Sequence, residues 1–184
     1  LVHERRHIAE EQRLGEGGRV HGGDIVHRDA AVAQRRAQVA QRGHAADALA
    51  KVTRTHPEWV RANLPALRRQ AIADPVAMVR WHLAMVFGHL ASFDETVDPS
   101  SRTLEKLLHD PSATVRSWAL TSLCIIGRLS PNRSPRITRQ SSALRRDPSA
   151  AVRRRADRAL KTLTDPGLPF PKGWAKGKKV RGEI

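Results

Sequence analysis

Asp74-Pro75-Val76-Ala77-Met78-Val79-Arg80 returns as Asp110-Pro111-Ser112-Ala113-Thr114-Val115-Arg116, and again as Asp147-Pro148-Ser149-Ala150-Ala151-Val152-Arg153. The copies are offset by 36 and 37 residues. Self-similarity at a near-constant period of this length is the signature of a repeat architecture, in which one supersecondary unit stacks on the next.

Each copy carries the start signals of a helix. The Asp is placed to act as N-cap, accepting bonds from the first free backbone N–H groups. The Pro follows at the first helical position, where its missing N–H costs nothing. Counting from each Asp as zero, positions +5, +9, +13 and +16 are Val79, Leu83, Phe87 and Leu90 in the first copy. They are Val115, Ala119, Leu123 and Ile126 in the second, and Val152, Ala156, Leu160 and Leu163 in the third. Steps of 4, 4 and 3 residues place these side chains on one helical stripe. A second apolar layer lies upstream of each Asp. Pro57 to Ile72 carries Val60, Leu64, Leu67 and Ile72; Pro99 to Leu108 carries Leu104, Leu107 and Leu108; Pro135 to Leu144 carries Ile137 and Leu144. Each unit therefore reads as a first helix, a short turn, Asp-Pro and a second helix. Pro65 lies inside the first of these first helices and is expected to kink it. A two-helix unit cannot bury both apolar faces alone, so the units are expected to stack into a solenoid.

The Asp-Pro-x3-Val-Arg pattern, the Ala- and Leu-rich second helices and Leu64-Pro65-Ala66-Leu67 resemble HEAT or HEAT-like (PBS lyase-type) repeats, from about Ala45 to Leu163. The resemblance implies an all-α fold, a right-handed α-solenoid of helical hairpins with three clear repeats and a degenerate N-terminal one. It implies that the first helices form the convex face and the second helices the concave one. It also implies that Asp74, Asp110 and Asp147 pair with Arg80, Arg116 and Arg153 along the stack, which makes these six residues structural.

The chain has 184 residues, 33 Lys and Arg against 18 Asp and Glu, and one Cys. A single Cys excludes an internal disulfide framework and a thiolate zinc cluster. No stretch approaches the ~18 consecutive apolar residues of a membrane span. The first residues show no export signal, which leads to the expectation of a cytoplasmic protein, and the opening Leu1 suggests a fragment or a non-standard start. The net charge of +15 is concentrated at one end: residues 128–184 carry 16 bases and 4 acids, whereas residues 1–44 and 45–127 are nearly balanced. Such an end attracts phosphates, acidic proteins or anionic headgroups. Arg outnumbers Lys 26 to 7 and Ala is abundant, so a compositional bias with solvated charges is the alternative.

The ends are less regular. Residues 1–28, with Gly15, Gly17, Gly18, Gly22 and Gly23 among Arg and His, are expected to be disordered or poorly packed. Asp29–Gln41 has good helix formers and is the expected partner of a helix through Ala45–Val52, giving a degenerate repeat over 29–56. The three clear repeats, 57–92, 99–129 and 135–164, fill 57–164. Residues 165–184 form a Pro-rich segment and a basic tail. Leu168, Phe170 and Trp174 are too apolar for a free tail and are expected to cover the open end of the stack, the alternative being a peptide motif read by another protein.

With +5, +9, +13 and +16 facing the core, +7, +11 and +14 lie opposite, at about 100° per residue. These are Trp81, Met85 and Gly88, then Ser117, Thr121 and Cys124, then Arg154, Arg158 and Lys161. The expected groove runs from an aromatic end to a basic end. Trp81 is either an interface anchor or covered by a neighbouring helix or the N-terminal segment. Trp118, at +8, reads as core.

No catalytic, cofactor or metal site is expected. His82 and His89 lack a carboxylate or Cys at ligand spacing. HEAT-like deoxyhypusine hydroxylases use His-Glu pairs as iron ligands, and the one such pair here, His3-Glu4, lies outside the repeats. Cys124 reads as a small apolar residue. HEAT-like alkylpurine DNA glycosylases resemble the chain in having tryptophans and a basic face, but Asp157 is the one acid near that face. The expectation is a non-enzymatic scaffold or adaptor that binds a protein partner through Trp81, Met85, Thr121, Arg154, Arg158 and Lys161. Nucleic-acid binding through residues 128–184 is the alternative.

Overall fold

The computed structural model describes residues 22–174, with side chains from residue 30 onward. These residues form helices and short turns without a strand. The helices are α1 (Gly22–Thr55), α2 (Leu64–Ala73), α3 (Ala77–His89), α4 (Asp94–Leu107), α5 (Ala113–Leu129), α6 (Ser134–Ala143) and α7 (Ala150–Thr164). The chain divides into two compact units, residues 1–40 and 41–184, with the boundary inside α1. In the first, the side chains of residues 30–40 are all exposed.

The N-terminal segment departs from expectation. Residues 29–56 were expected to contain two helices, but α1 runs through without a turn. No Pro interrupts it, and Gly43 lies within it, its missing Cβ leaving room for the Met78 side chain, which a Cβ there would strike. The expectation of disorder over residues 1–28 falls, up to residue 21, outside the described residues; residues 22–28 belong to α1.

The helix starts also differ in detail. Asp74, Asp110 and Asp147 do not cap in the first helical turn. Each Oδ1 accepts the N–H of the residue two ahead, Val76, Ser112 or Ser149, at 2.8 Å. This is an Asx turn, and it delays the helix until Ala77, Ala113 or Ala150. Pro75, Pro111 and Pro148 therefore sit in the turn and not at the first helical position. Pro65 does not kink its helix, because α2 begins at Leu64 and places it in the first turn, where no N–H is needed. Pro99, expected near a helix start, lies inside α4, which begins at Asp94. Asp94 and Glu95 occupy the first turn, where carboxylates favour the positive end of the helix dipole.

The apolar stripes decide the packing. Of the stripe residues, all are buried except Leu160, which is half-buried. Each second helix packs on its own first helix: α3 on α2, α5 on α4 and α7 on α6. The second helices also pack on one another in series, α3 on α5 and α5 on α7. Leu104, Leu107, Leu108 and Ile137 complete the core from the first-helix side. Ile72, expected in that layer, is 46% exposed.

Arginine rungs tie the hairpins together. Arg80 donates through Nε and Nη2 to both oxygens of Asp110, at 2.6 and 2.9 Å, and through Nη1 to the Asp74 carbonyl at 2.8 Å. Arg116 repeats this on Asp147, at 2.7 and 2.8 Å, and on the Asp110 carbonyl at 2.7 Å. Asp147 is held below the usual carboxylate range, chiefly by the Arg116 hydrogen bonds. Asp74 is bound from the other side by Arg42 of α1. Arg153, expected in the same ladder, donates to the carbonyls of Asp147 and Pro148, at 2.8 and 2.9 Å, with no carboxylate partner among the described residues.

Candidate functional site

The face opposite the apolar stripes is not the open groove the spacing predicts. Gly88, Ser117, Thr121 and Cys124 are buried, Trp81 and Met85 are half-buried, and Arg154, Arg158 and Lys161 are exposed. The helical wheel assumed one buried side per second helix. These helices have neighbours on both flanks, and the flank contacts take up the opposite positions. A Cβ on Gly88 would lie 2.6 Å from the Ser122 hydroxyl of the next second helix. That hydroxyl donates to the Ala84 carbonyl at 2.7 Å. Cys124 lies against the backbone of α7, its Sγ 3.8 Å from the Ala159 carbonyl. Burial pushes its thiol up to about 12, so it is a core residue without nucleophilic character at neutral pH.

Thr121, expected to face a partner, is covered by α7. Its Oγ1 donates to the Ser117 carbonyl at 2.9 Å and accepts Arg155 Nη1 at 2.9 Å. Arg155 also lies over two indoles, 5.3 Å from the Trp118 centroid and 5.1 Å from that of Trp174. The Trp118 ring stacks on Trp81 at 6.1 Å and 19°. Trp81, Trp118, Arg155 and Trp174 thus form a continuous column across three second helices and the C-terminal segment. Trp81 is covered in part by Trp118, an arrangement between the two alternatives its position left open. Burial, helped by Arg158, lowers the pKa of Arg155. The indole faces are the charge-stabilising groups it meets.

The C-terminal segment is fastened to this face. Arg128, at the end of α5, donates to the carbonyls of Thr162, Pro166 and Leu168 at 3.0, 2.8 and 2.9 Å, and its guanidinium carbon lies 5.0 Å from the Phe170 centroid. Trp174 is buried. The basic tail after it lies outside the described residues.

What remains accessible is basic. Arg154, Arg158 and Lys161 recur at a four- and a three-residue step along one side of α7, with no acidic partner among the described residues. Asp157, the acid nearest to them in sequence, is bound by Arg145 at 2.9 Å. Of the C-terminal apolar residues expected to be covered, Trp174 is buried, Phe170 half-buried and Leu168 41% exposed. Three features escaped the sequence reading: the Arg42 rung, the Arg128 clamp and the Arg155 sandwich. Only the first had a periodic signal. Arg42 precedes Arg80 by 38 residues, close to the repeat length.

The described residues contain no cluster of three or more His, Cys, Asp or Glu able to hold a metal. No described helix is long and apolar enough to cross a membrane. No protein-family model matches the chain, and no curated protein matches it.

Proposed function

We propose that the chain is a non-enzymatic interaction module, a right-handed α-solenoid of HEAT-like hairpins that binds an acidic protein partner on the face of its second helices. The solenoid reading is supported by the series packing of α3, α5 and α7 and by rungs that recur with the repeat. The observation that carries the binding reading is the row Arg154, Arg158 and Lys161, exposed and without acidic partners among the described residues. Cations left unneutralised on one rigid helix give a directed positive field that steers an acidic surface into contact. Trp81 and Met85, half-buried on α3, supply apolar contact two second helices away from that row, and Thr121 takes no part because Arg155 covers it.

Crosslinked affinity purification with the parent chain, Trp81→Ala and an Arg154→Glu, Arg158→Glu, Lys161→Glu set tests this. Acidic proteins captured by the parent and lost with the charge-reversed set support it. Capture of the same proteins at equal yield by both variants overturns it. Nucleic-acid binding through residues 128–184 is the second reading, favoured by the +12 charge of that region. A shift assay with the same charge-reversed set separates the two.

A further inference from the structure

Two grooves lie between successive first helices, and their charges differ. The groove between α4 and α6, about 380 Å³, carries two acids against three arginines, one of which, Arg102, lines both grooves. There Arg133 pairs with Asp98, and Arg136 with Glu105 at 2.7 Å. The groove between α2 and α4 is about 720 Å³ and is lined by Arg68, Arg69, Arg102 and Lys106 with no acid. None of the four has an acidic partner among the described residues. Arg68 is held in place, its Nε donating to Thr103 Oγ1 at 2.9 Å, and Thr103 itself is buried and anchored to the Pro99 carbonyl at 3.1 Å. Its two terminal nitrogens are left for another acceptor. Arg102 and Lys106 stand four residues apart on α4, a like-charge spacing that costs a helix a few tenths of a kcal/mol. Beyond the Arg68–Thr103 bond, no described acid offsets this crowding of cations, whereas the groove one repeat later carries Asp98 and Glu105.

We infer that the α2–α4 groove is a binding site for the phosphate backbone of a nucleic-acid duplex. The groove is several times larger than a single phosphate, so it takes a run of them. Arginine forks match phosphate oxygens, and three of the four cations are Arg. Its lining holds no aromatic residue, so no base can stack there, and contact is confined to the backbone. Binding is therefore indifferent to sequence and strongly dependent on salt. The site lies on the first-helix side and stands independently of the partner surface on α7.

The test uses fluorescence anisotropy of a labelled 20-base-pair DNA duplex with the full chain at several salt concentrations. The groove variant is Arg69→Gln, Arg102→Gln, Lys106→Gln, whose side chains are exposed and whose helicity is checked by circular dichroism. The comparison variant is Arg154→Gln, Arg158→Gln, Lys161→Gln on α7. The groove variant is expected to bind at least about tenfold more weakly at 0.1 M salt, with the log–log salt slope reduced by about 2–3, roughly one unit for each phosphate no longer neutralised. The α7 variant is expected to keep the parent's slope to within about one unit. Absence of duplex binding by the parent at 50 mM salt overturns the inference. So does a groove variant with the parent's affinity and slope, or an equal loss in both variants, which marks diffuse charge alone. Should the triple groove variant lose helicity, the single Arg69→Gln variant replaces it, with a slope change of about one expected and no change overturning the site.

Discussion

Replacing Asp110 with Ala removes the centre of one rung, and the structure sets the size of the effect. The carboxylate accepts two bonds from Arg80 and one from the Ser112 N–H. The side chains are 11% exposed for Arg80 and 5% for Asp110, so the pair is nearly withdrawn from water. Loss of one partner leaves the other as an uncompensated charge, which costs about 3–5 kcal/mol in a fully buried pair. This rung lies at the margin of the core, and Arg80 keeps its bond to the Asp74 carbonyl, so about 2–4 kcal/mol is expected. For a chain of this size that corresponds to a melting temperature lower by roughly 10 °C. Chemical denaturation followed by circular dichroism measures it. Arg136→Ala provides the contrast. Its pair with Glu105 has side chains 66% and 19% exposed, and such pairs contribute about 0–1 kcal/mol. The Arg80→Ala, Asp110→Ala double variant is expected to lose less than the two single losses combined, with a coupling of about 1–3 kcal/mol. An Asp110→Ala variant no less stable than Arg136→Ala refutes the view that the rungs bind the hairpins together.

His82 is buried, with Nδ1 2.8 Å from the Met78 carbonyl and Nε2 3.3 Å from Asp47, which Lys51 also binds. Burial lowers its pKa against the opposing pull of the Met78 carbonyl and Asp47. Below its unfolded value of about 6.5 the unfolded chain takes up a proton that the fold resists, so stability falls as pH drops from about 6.5 towards 5. His82→Gln should flatten that part of the stability–pH curve, and an unchanged curve contradicts the assignment. Gly88→Ala places a Cβ 2.6 Å from the Ser122 hydroxyl and 3.2 Å from the Ser122 backbone, and overpacking of this kind costs about 1–3 kcal/mol. Gly43→Ala meets the movable Met78 side chain and should cost less, which paired thermal melts decide. Trp174→Ala removes the ring over Arg155 and should expose residues 165–174 to limited proteolysis while the helical signal is kept. Protection equal to the parent's would place the hold of that segment in Arg128 alone.

The helices and their buried stripes were legible because they are local facts. A 3.6-residue period, recurring with the Asp-Pro turn, fixes which side of each second helix is apolar whatever packs on it. Val79, Val115 and Val152 are buried for that reason. Helix limits were less legible. Asp-Pro can open a helix directly or after an Asx turn, and the choice depends on the Arg that holds the turn's carbonyl from the following helix. The absence of Pro between Asp29 and Thr55 left α1 free to run through, a choice the helix formers on either side of Gly43 did not by themselves reveal.

The candidate site was the least legible part. A helical wheel assigns a free side to every amphipathic helix, but how much of that side stays free depends on the neighbours across it. For α7 the assignment held at Arg154, Arg158 and Lys161; for α5 it failed at Thr121 and Cys124, because α7 lies over both. Composition determined that the excess charge gathers after residue 128, but not which cations stay unpaired. Asp98 and Glu105 are 35 and 31 residues from the arginines they neutralise, while Arg102, between them, meets no acid among the described residues. Periodicity is written along the chain one turn at a time. Pairing and cover are settled between segments some thirty residues apart, where only the packed helices bring the groups within reach.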